Sequence, residues 1–276
     1  MILIADSGST KTSWITIDGD RRSDILQTNG INPVRDKEEV IRQALKPMKN
    51  WIEGPIIQIH FFGAGCIPPY STTVKRQLQQ LFPNAEVHVE SDMMGAAIAL
   101  CGHEEGIACI LGTGANSCLF DGSRIVRQTP ALGFILGDEG SGASLGKRLL
   151  GDIFKRQLPV DILAAFDKEI GLTQSEVIDR VYRQSQANLF LSSLVPFLYS
   201  HLDCPQIEEL VTDEFRRFLK RNIHNYDRPD LTVNFVGGIT NSFVTQLRKA
   251  IEMEGMLMGK TIQLPIEAMA AYYQAH

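Results

Sequence analysis

Cysteine is scarce and scattered. The 276 residues hold five, Cys66, Cys101, Cys109, Cys118 and Cys204, an odd number with no CxxC pair. That spacing fits neither a disulfide framework nor a zinc site, and predicts reduced, mostly buried thiols in a cytoplasmic protein. No apolar run approaches the ~18 residues of a membrane span; the longest candidate, 189–199, is broken by Ser192, Ser193 and Pro196. No basic stretch precedes the acid in MILIADSG, so no signal peptide is expected. Positive charge is not in excess either. Lys and Arg number 27 against 32 Asp and Glu, a net −5, which gives no footprint for nucleic acid or an anionic membrane. A GxxxxGK[ST] loop is missing, and Gly112-x-Gly114-x-x-Ser117 lacks the third glycine of a dinucleotide fingerprint. The remainder, 44% hydrophobic and 21% charged, is ordinary globular composition. Its length suits two domains at roughly 150 residues each.

What is present repeats. Apolar residues 2–5 end at Asp6-Ser7-Gly8-Ser9-Thr10, and alternation resumes through Trp14, Ile15 and Ile17 to the turn Asp18-Gly19. That is a hairpin signature. Asp36 with Glu39 three residues on reads as a capping box opening a helix over 36–49, which Pro47 can end early. A strand at 56–62, a helix from Ser71, a strand at 87–89 and a small-residue helix after Ser91-Asp92 follow. The pattern then restarts with an apolar strand at 106–111, Gly112-Thr113-Gly114-Ala115-Asn116, a strand to Phe120 and Asp121-Gly122. Setting Asp6 against Gly112 (112 − 6 = 106) pairs Ser7 with Thr113 and Gly8 with Gly114. Two related α/β halves are expected. Residues 138–158 and 174–220 are helical in pattern, a strand at 231–236 meets Gly237-Gly238, and a closing helix from Ile266 is expected to pack back on the first half.

The two bends carry the chemistry. Glycine admits close backbone approach, so successive amides can converge on an anion, and Ser or Thr hydroxyls add donors. The first bend offers Ser7, Gly8, Ser9, Thr10, Lys11 and Thr12, the second Gly112, Thr113 and Gly114; together they suit a polyphosphate held by both halves. Asp6, ending the first strand, is placed to hold Mg²⁺ through water, or to stabilise an Asx turn. Lys11 is either a phosphate contact or a solvated strand lysine. Asp92 follows a strand and opens a helix, so it is either an N-cap or a carboxylate at the strand edge where α/β sites assemble. Phosphoryl transfer to an alcohol needs one such base, a role for which Glu90 and Asp138 compete. Gly237-Gly238 lets a flat ring approach the backbone, or is a plain strand-to-helix turn.

Taken together, DSGSTKT, TNGINP, ESDMMGA, LGTGANS, LGDEGSG and FVGG resemble the acetate and sugar kinase/Hsp70/actin superfamily. More narrowly, the chain is similar to the BadF/BadG/BcrA/BcrD-type ATPase family that includes N-acetylglucosamine kinases. The resemblance implies an α/β fold of two actin-like, ribonuclease-H-like domains flanking a nucleotide cleft. These are residues 1–105, with helix 264–276 packed back on them, and 106–263 with a helical insertion. It implies ATP and Mg²⁺ as cofactors and transfer of the γ-phosphate to an amino sugar, N-acetylglucosamine first. N-acetylmuramic acid is the other sugar, and an activator of 2-hydroxyacyl-CoA dehydratases the other activity. By the same resemblance Asp92 is the base, Asn32, Thr113 and Asp138 touch the sugar, Gly237 and Gly238 lie by the adenosine, and the protein is a homodimer. Leu132 stands where the glucosamine kinases carry tryptophan.

Overall fold

The computed structural model describes residues 1–8 and 10–275. It divides into two compact units, one formed by Met1–Glu105, Phe120–Ile125 and Leu264–His276, the other by Gly106–Leu119 and Val126–Gln263. Among the described residues no helix is long and apolar enough to cross a membrane.

The first sheet contains β1 (Ile2–Ser7), β2 (Lys11–Asp18), β3 (Arg21–Arg22), β4 (Leu26–Asn29), β5 (Gln58–Gly63) and β6 (Glu86–Ser91). Its order is β3-β2-β1-β5-β6, with β4 also paired to β2. β1 runs antiparallel to β2 and parallel to β5, which is parallel to β6. Leu3, Ala5, Trp14, Ile59, Phe61 and Val87 form one face of the core with Ile41 and Leu45 of the helix Glu38–Leu45 and Val74 and Leu78 of Ser71–Leu81. Each such side chain, fully buried, contributes about 1.5–3 kcal/mol. The opposite face is covered by the helices Asp92–Cys101 and Pro265–Gln274, where Tyr273 stacks on His60 at 4.0 Å.

The second sheet contains β7 (Glu105–Leu111), β8 (Ala115–Asp121), β9 (Ile125–Gln128), β10 (Thr232–Val236) and β11 (Leu257–Ile262). Its order, β11-β10-β7-β8-β9, repeats that of the first sheet strand for strand. The register of the repeat differs from the one expected. β1 ends at Ser7 and β2 begins at Lys11; β7 ends at Leu111 and β8 begins at Ala115. Gly8 therefore matches Gly112 (112 − 8 = 104), two residues from the offset that set Asp6 against Gly112. Between β9 and β10 a helical layer is inserted, and its Phe166, Phe197, Phe215 and Phe218 are wholly or almost wholly buried in the core of the unit.

The capping box at Asp36 does not form. The helix begins at Glu38 behind Lys37, with no side-chain cap, and ends at Leu45 before Pro47, after which a short helix Met48–Trp51 starts. The Asp36 carboxylate turns back instead, accepting from the Asn32 amide at 2.9 Å and pairing with Arg35 at 2.7 Å. A charge-assisted bond to arginine outcompetes a solvated helix end.

Candidate functional site

Strand alternation decides what each residue of the first bend can do. Side chains two apart share a face, so Asp6 lies on the face of Ile2 and Ile4, and Ser7 on that of Leu3 and Ala5. Ser7 is fully buried, as is its cross-strand partner Thr12. Their hydroxyls lie 2.7 Å apart; Ser7 Oγ accepts from the Ile31 amide at 3.0 Å, and Thr12 Oγ1 donates to the Asn29 carbonyl at 3.1 Å. Both therefore brace the bend from inside. The Gly8 amide closes its own turn on the Lys11 carbonyl at 2.9 Å. Thr10 and Lys11 are exposed at the tip, and Ser9 lies outside the described residues.

Gly30 seats this bend. Its amide donates to the Thr10 carbonyl at 3.0 Å, and a Cβ on it would fall 2.4 Å from the Gly8 oxygen and 2.7 Å from the Thr10 nitrogen. Asn32 follows, its Oδ1 accepting from the Val34 amide at 3.1 Å. Its side chain lies against Gly65, whose φ of +73° and absent side chain make that contact possible.

Asp6 and Asp92 stand within each other's electrostatic reach. Burial raises Asp6 to about 6, the charge of Asp92 adds to the rise, and Lys11 acts against it. Burial likewise raises Asp92 to about 6, opposed by the Met93 amide, which donates to its carboxylate at 2.9 Å. Asp92 is not the N-cap. Ser91 holds that position, its Oγ accepting from the Met94 amide at 3.3 Å, and Asp92 is the first helical residue. With the cap supplied by its neighbour, the Asp92 carboxylate accepts from the Met93 amide and from its own. Glu90 lies on the exposed edge strand near Tyr273, where burial raises it and His88 opposes the rise.

In the second unit the Gly112 amide bonds the Gly114 carbonyl at 2.9 Å, closing the bend. The carbonyls of Gly112 and Thr113 accept from the Gly142 and Ala143 amides at 2.8 and 3.1 Å, which fastens the bend to the first turn of the helix Gly142–Phe154. Asp138, at a φ of +56°, lays its carboxylate over Gly114 and accepts from the Ala115 amide; burial raises it, and Glu139 adds to the rise. The two glycines after β10 differ. Gly237 has a φ of +122° and no room for a Cβ, which would lie 2.2 Å from the Leu111 carbonyl; Gly238 faces open space. Gly237 thus admits no other residue. Leu132 is 58% exposed before the short helix Gly133–Leu136.

No family model matches the sequence, and neither does any curated protein. Among solved structures, a Porphyromonas gingivalis protein provisionally named an N-acetylglucosamine kinase is 42% identical, with 100% of this chain and 99% of that one covered at a TM-score of 0.96. The chain belongs to the N-acetylglucosamine kinase-like family. A Chromobacterium violaceum protein with the same provisional name is 18% identical over 100% and 98% of the two chains at a TM-score of 0.77. A ROK-family glucokinase from Streptomyces griseus, solved with glucose and AMPPNP, is 14% identical over 99% and 97% at 0.55. These last two share the fold, which is that of the actin-like sugar kinases.

In this kinase-like chain Gly30 stands in the TNGINP motif and Gly65 in a glycine turn, but their packing roles, and Glu214, are not read from the sequence. The first two are visible only as close backbone approaches. Glu214 carried a signal: it is an acid on the apolar face made by Leu210, Val211 and Phe218, and a buried charge there must be paired.

Proposed function

We propose that the protein is an ATP-dependent kinase transferring the γ-phosphate to a hydroxyl of an amino sugar, N-acetylglucosamine first. The Asp6–Asp92 pair carries this reading. Asp92 accepts the sugar hydroxyl proton, and a pKa of about 6 leaves it ionised but still basic at neutral pH. Asp6 suits a hydrated magnesium ion, which keeps most of its water and needs only one or two carboxylates. Among the described residues no cluster of three metal-binding side chains exists, in keeping with that mode. Magnesium, when bound, neutralises charge on the transferring phosphate. In this reading the bend Ser7, Gly8, Ser9, Thr10, Lys11 and Thr12 and the bend Gly112, Thr113 and Gly114 serve the phosphates, Gly237 and Gly238 the adenosine, and Asn32, Thr113 and Asp138 the sugar; a homodimer in the cytoplasm belongs to the same reading. The dehydratase-activator alternative is disfavoured by cysteine placement: an iron–sulfur cluster needs thiolates grouped at one site, while Cys66, Cys101, Cys109, Cys118 and Cys204 are scattered with no CxxC pair.

The decisive test is ADP release across free amino sugars and other small alcohols. N-acetylglucosamine is expected to stimulate it most; N-acetylmuramic acid as the better substrate would move the sugar assignment, and silence across the panel would overturn the kinase reading. A finer prediction concerns Asn32. A Cβ at Gly65 would fall 2.2 Å from Asn32 Oδ1, so Gly65→Ala is expected to raise the sugar KM about tenfold, the equivalent of one lost hydrogen bond, while the ATP KM stays within about twofold. Equal changes in both KM values would remove Asn32 from the sugar.

A further inference from the structure

Glu214 lies on the helix Pro205–Phe218 with the buried Leu210, Val211, Phe215 and Phe218, and has no exposed surface. Its two oxygens face different partners. Oε1 accepts from the Gly140 amide at 3.2 Å and from Ser144 Oγ at 2.6 Å. Oε2 accepts from Arg148 Nη1 at 3.1 Å and Arg217 Nη1 at 2.7 Å. Arg148 also pairs with Asp213 at 2.8 Å, and both arginines reach solvent.

The Oε1 side leads to both parts of the site in this unit. Gly140, at a φ of +77°, lies two residues beyond Asp138, whose carbonyl accepts from the Ser141 amide at 3.1 Å. Ser144 belongs to the helical turn whose Gly142 and Ala143 amides hold the Gly112 and Thr113 carbonyls. A few residues on, Arg221 binds Glu139 at 2.5 Å, a second tie from this region to the same loop. An apolar side chain would fill the space beneath Gly140 without desolvating a charge. A carboxylate adds direction: it fixes an amide and a hydroxyl at once, and Arg148, itself held by Asp213, still pairs its other oxygen when Arg217 is removed.

We infer that Glu214 is a positioning residue, holding the Asp138 loop and the Gly112–Gly114 bend in one arrangement from below; its catalytic consequence rests on the kinase reading above. The test compares three variants. Ser144→Ala removes one loop-side bond, Glu214→Leu removes both sides, and Arg217→Met removes only an outer partner. Amide exchange of 112–115 and 138–144 in the ligand-free protein is expected to quicken about tenfold or more in the first two, the equivalent of one charge-assisted bond, and to stay within about twofold in Arg217→Met. ADP affinity by calorimetry should fall in the same order. Ser144→Ala keeps the inference falsifiable if Glu214→Leu does not fold. Unchanged exchange in Ser144→Ala, or an equal change in Arg217→Met, would overturn it. Wild-type protein that binds neither ADP nor AMPPNP would defeat the kinase reading instead, leaving the exchange result to judge Glu214.

Discussion

Asp92→Asn is expected to lower kcat by about 10²–10⁴-fold, the usual contribution of a positioned base, while ADP binding stays near normal. Asparagine keeps an oxygen for the Met93 amide, so the helix start is preserved. The same substitution should act on stability in the opposite direction. Asp92 holds its proton more tightly in the fold, at about 6, than at the ordinary 3.8. Its contribution is thus fully present below about 4 and is lost as pH rises through about 6. Asparagine never ionises, so the melting temperature of the variant should equal or exceed wild type at pH 8, with the gap closing toward pH 4. In the wild type, kcat/KM should climb through about pH 6. Near-normal phosphorylation by Asp92→Asn would strip the residue of its role, and a large fall in melting temperature at pH 8 would make it a structural acid.

Gly30→Ala should be strongly damaging although it touches no ligand. The added carbon would meet three backbone atoms of the first bend, the Gly8 oxygen at 2.4 Å, the Thr10 nitrogen at 2.7 Å and the Lys11 nitrogen at 2.8 Å. Backbone cannot rotate aside as a side chain can, so the bend must shift as a whole. Overpacking of this kind costs about 1–3 kcal/mol. A displacement near 1 Å at a phosphate loop can cost about 10² in rate. Chemical denaturation and the ATP dependence of turnover measure the two effects. Unchanged ATP kinetics would mean that the bend at residues 8–10 does not face the nucleotide.

The hairpins, the duplicated halves and the carboxylates at the strand ends were legible because each follows from short-range pattern: alternation, a glycine bend, an acid after an apolar run. Orientation was partly legible. Ser7 shares parity with Leu3 and Ala5, which already points it inward, yet its position in a glycine-hydroxyl motif suggested a ligand. The repeat offset failed for a related reason, since matching hydroxyls to hydroxyls overrides the count of residues between strands. The Asp36 cap failed because Arg35 and the Asn32 amide compete for the same carboxylate. What Gly30 and Gly65 are for could not be read. What they exclude is the backbone of residue 8 and the side chain of Asn32, which only the fold brings to them.

The helix Pro265–Gln274 completes the cover of one face of a sheet whose last strand ends at Ser91, with 173 residues (264 − 91) lying between them. A ribosome delivering the chain from its amino end must complete everything in between first. Until then His60 has no Tyr273 to stack on, and the nascent sheet presents a greasy surface that invites chaperones or self-association.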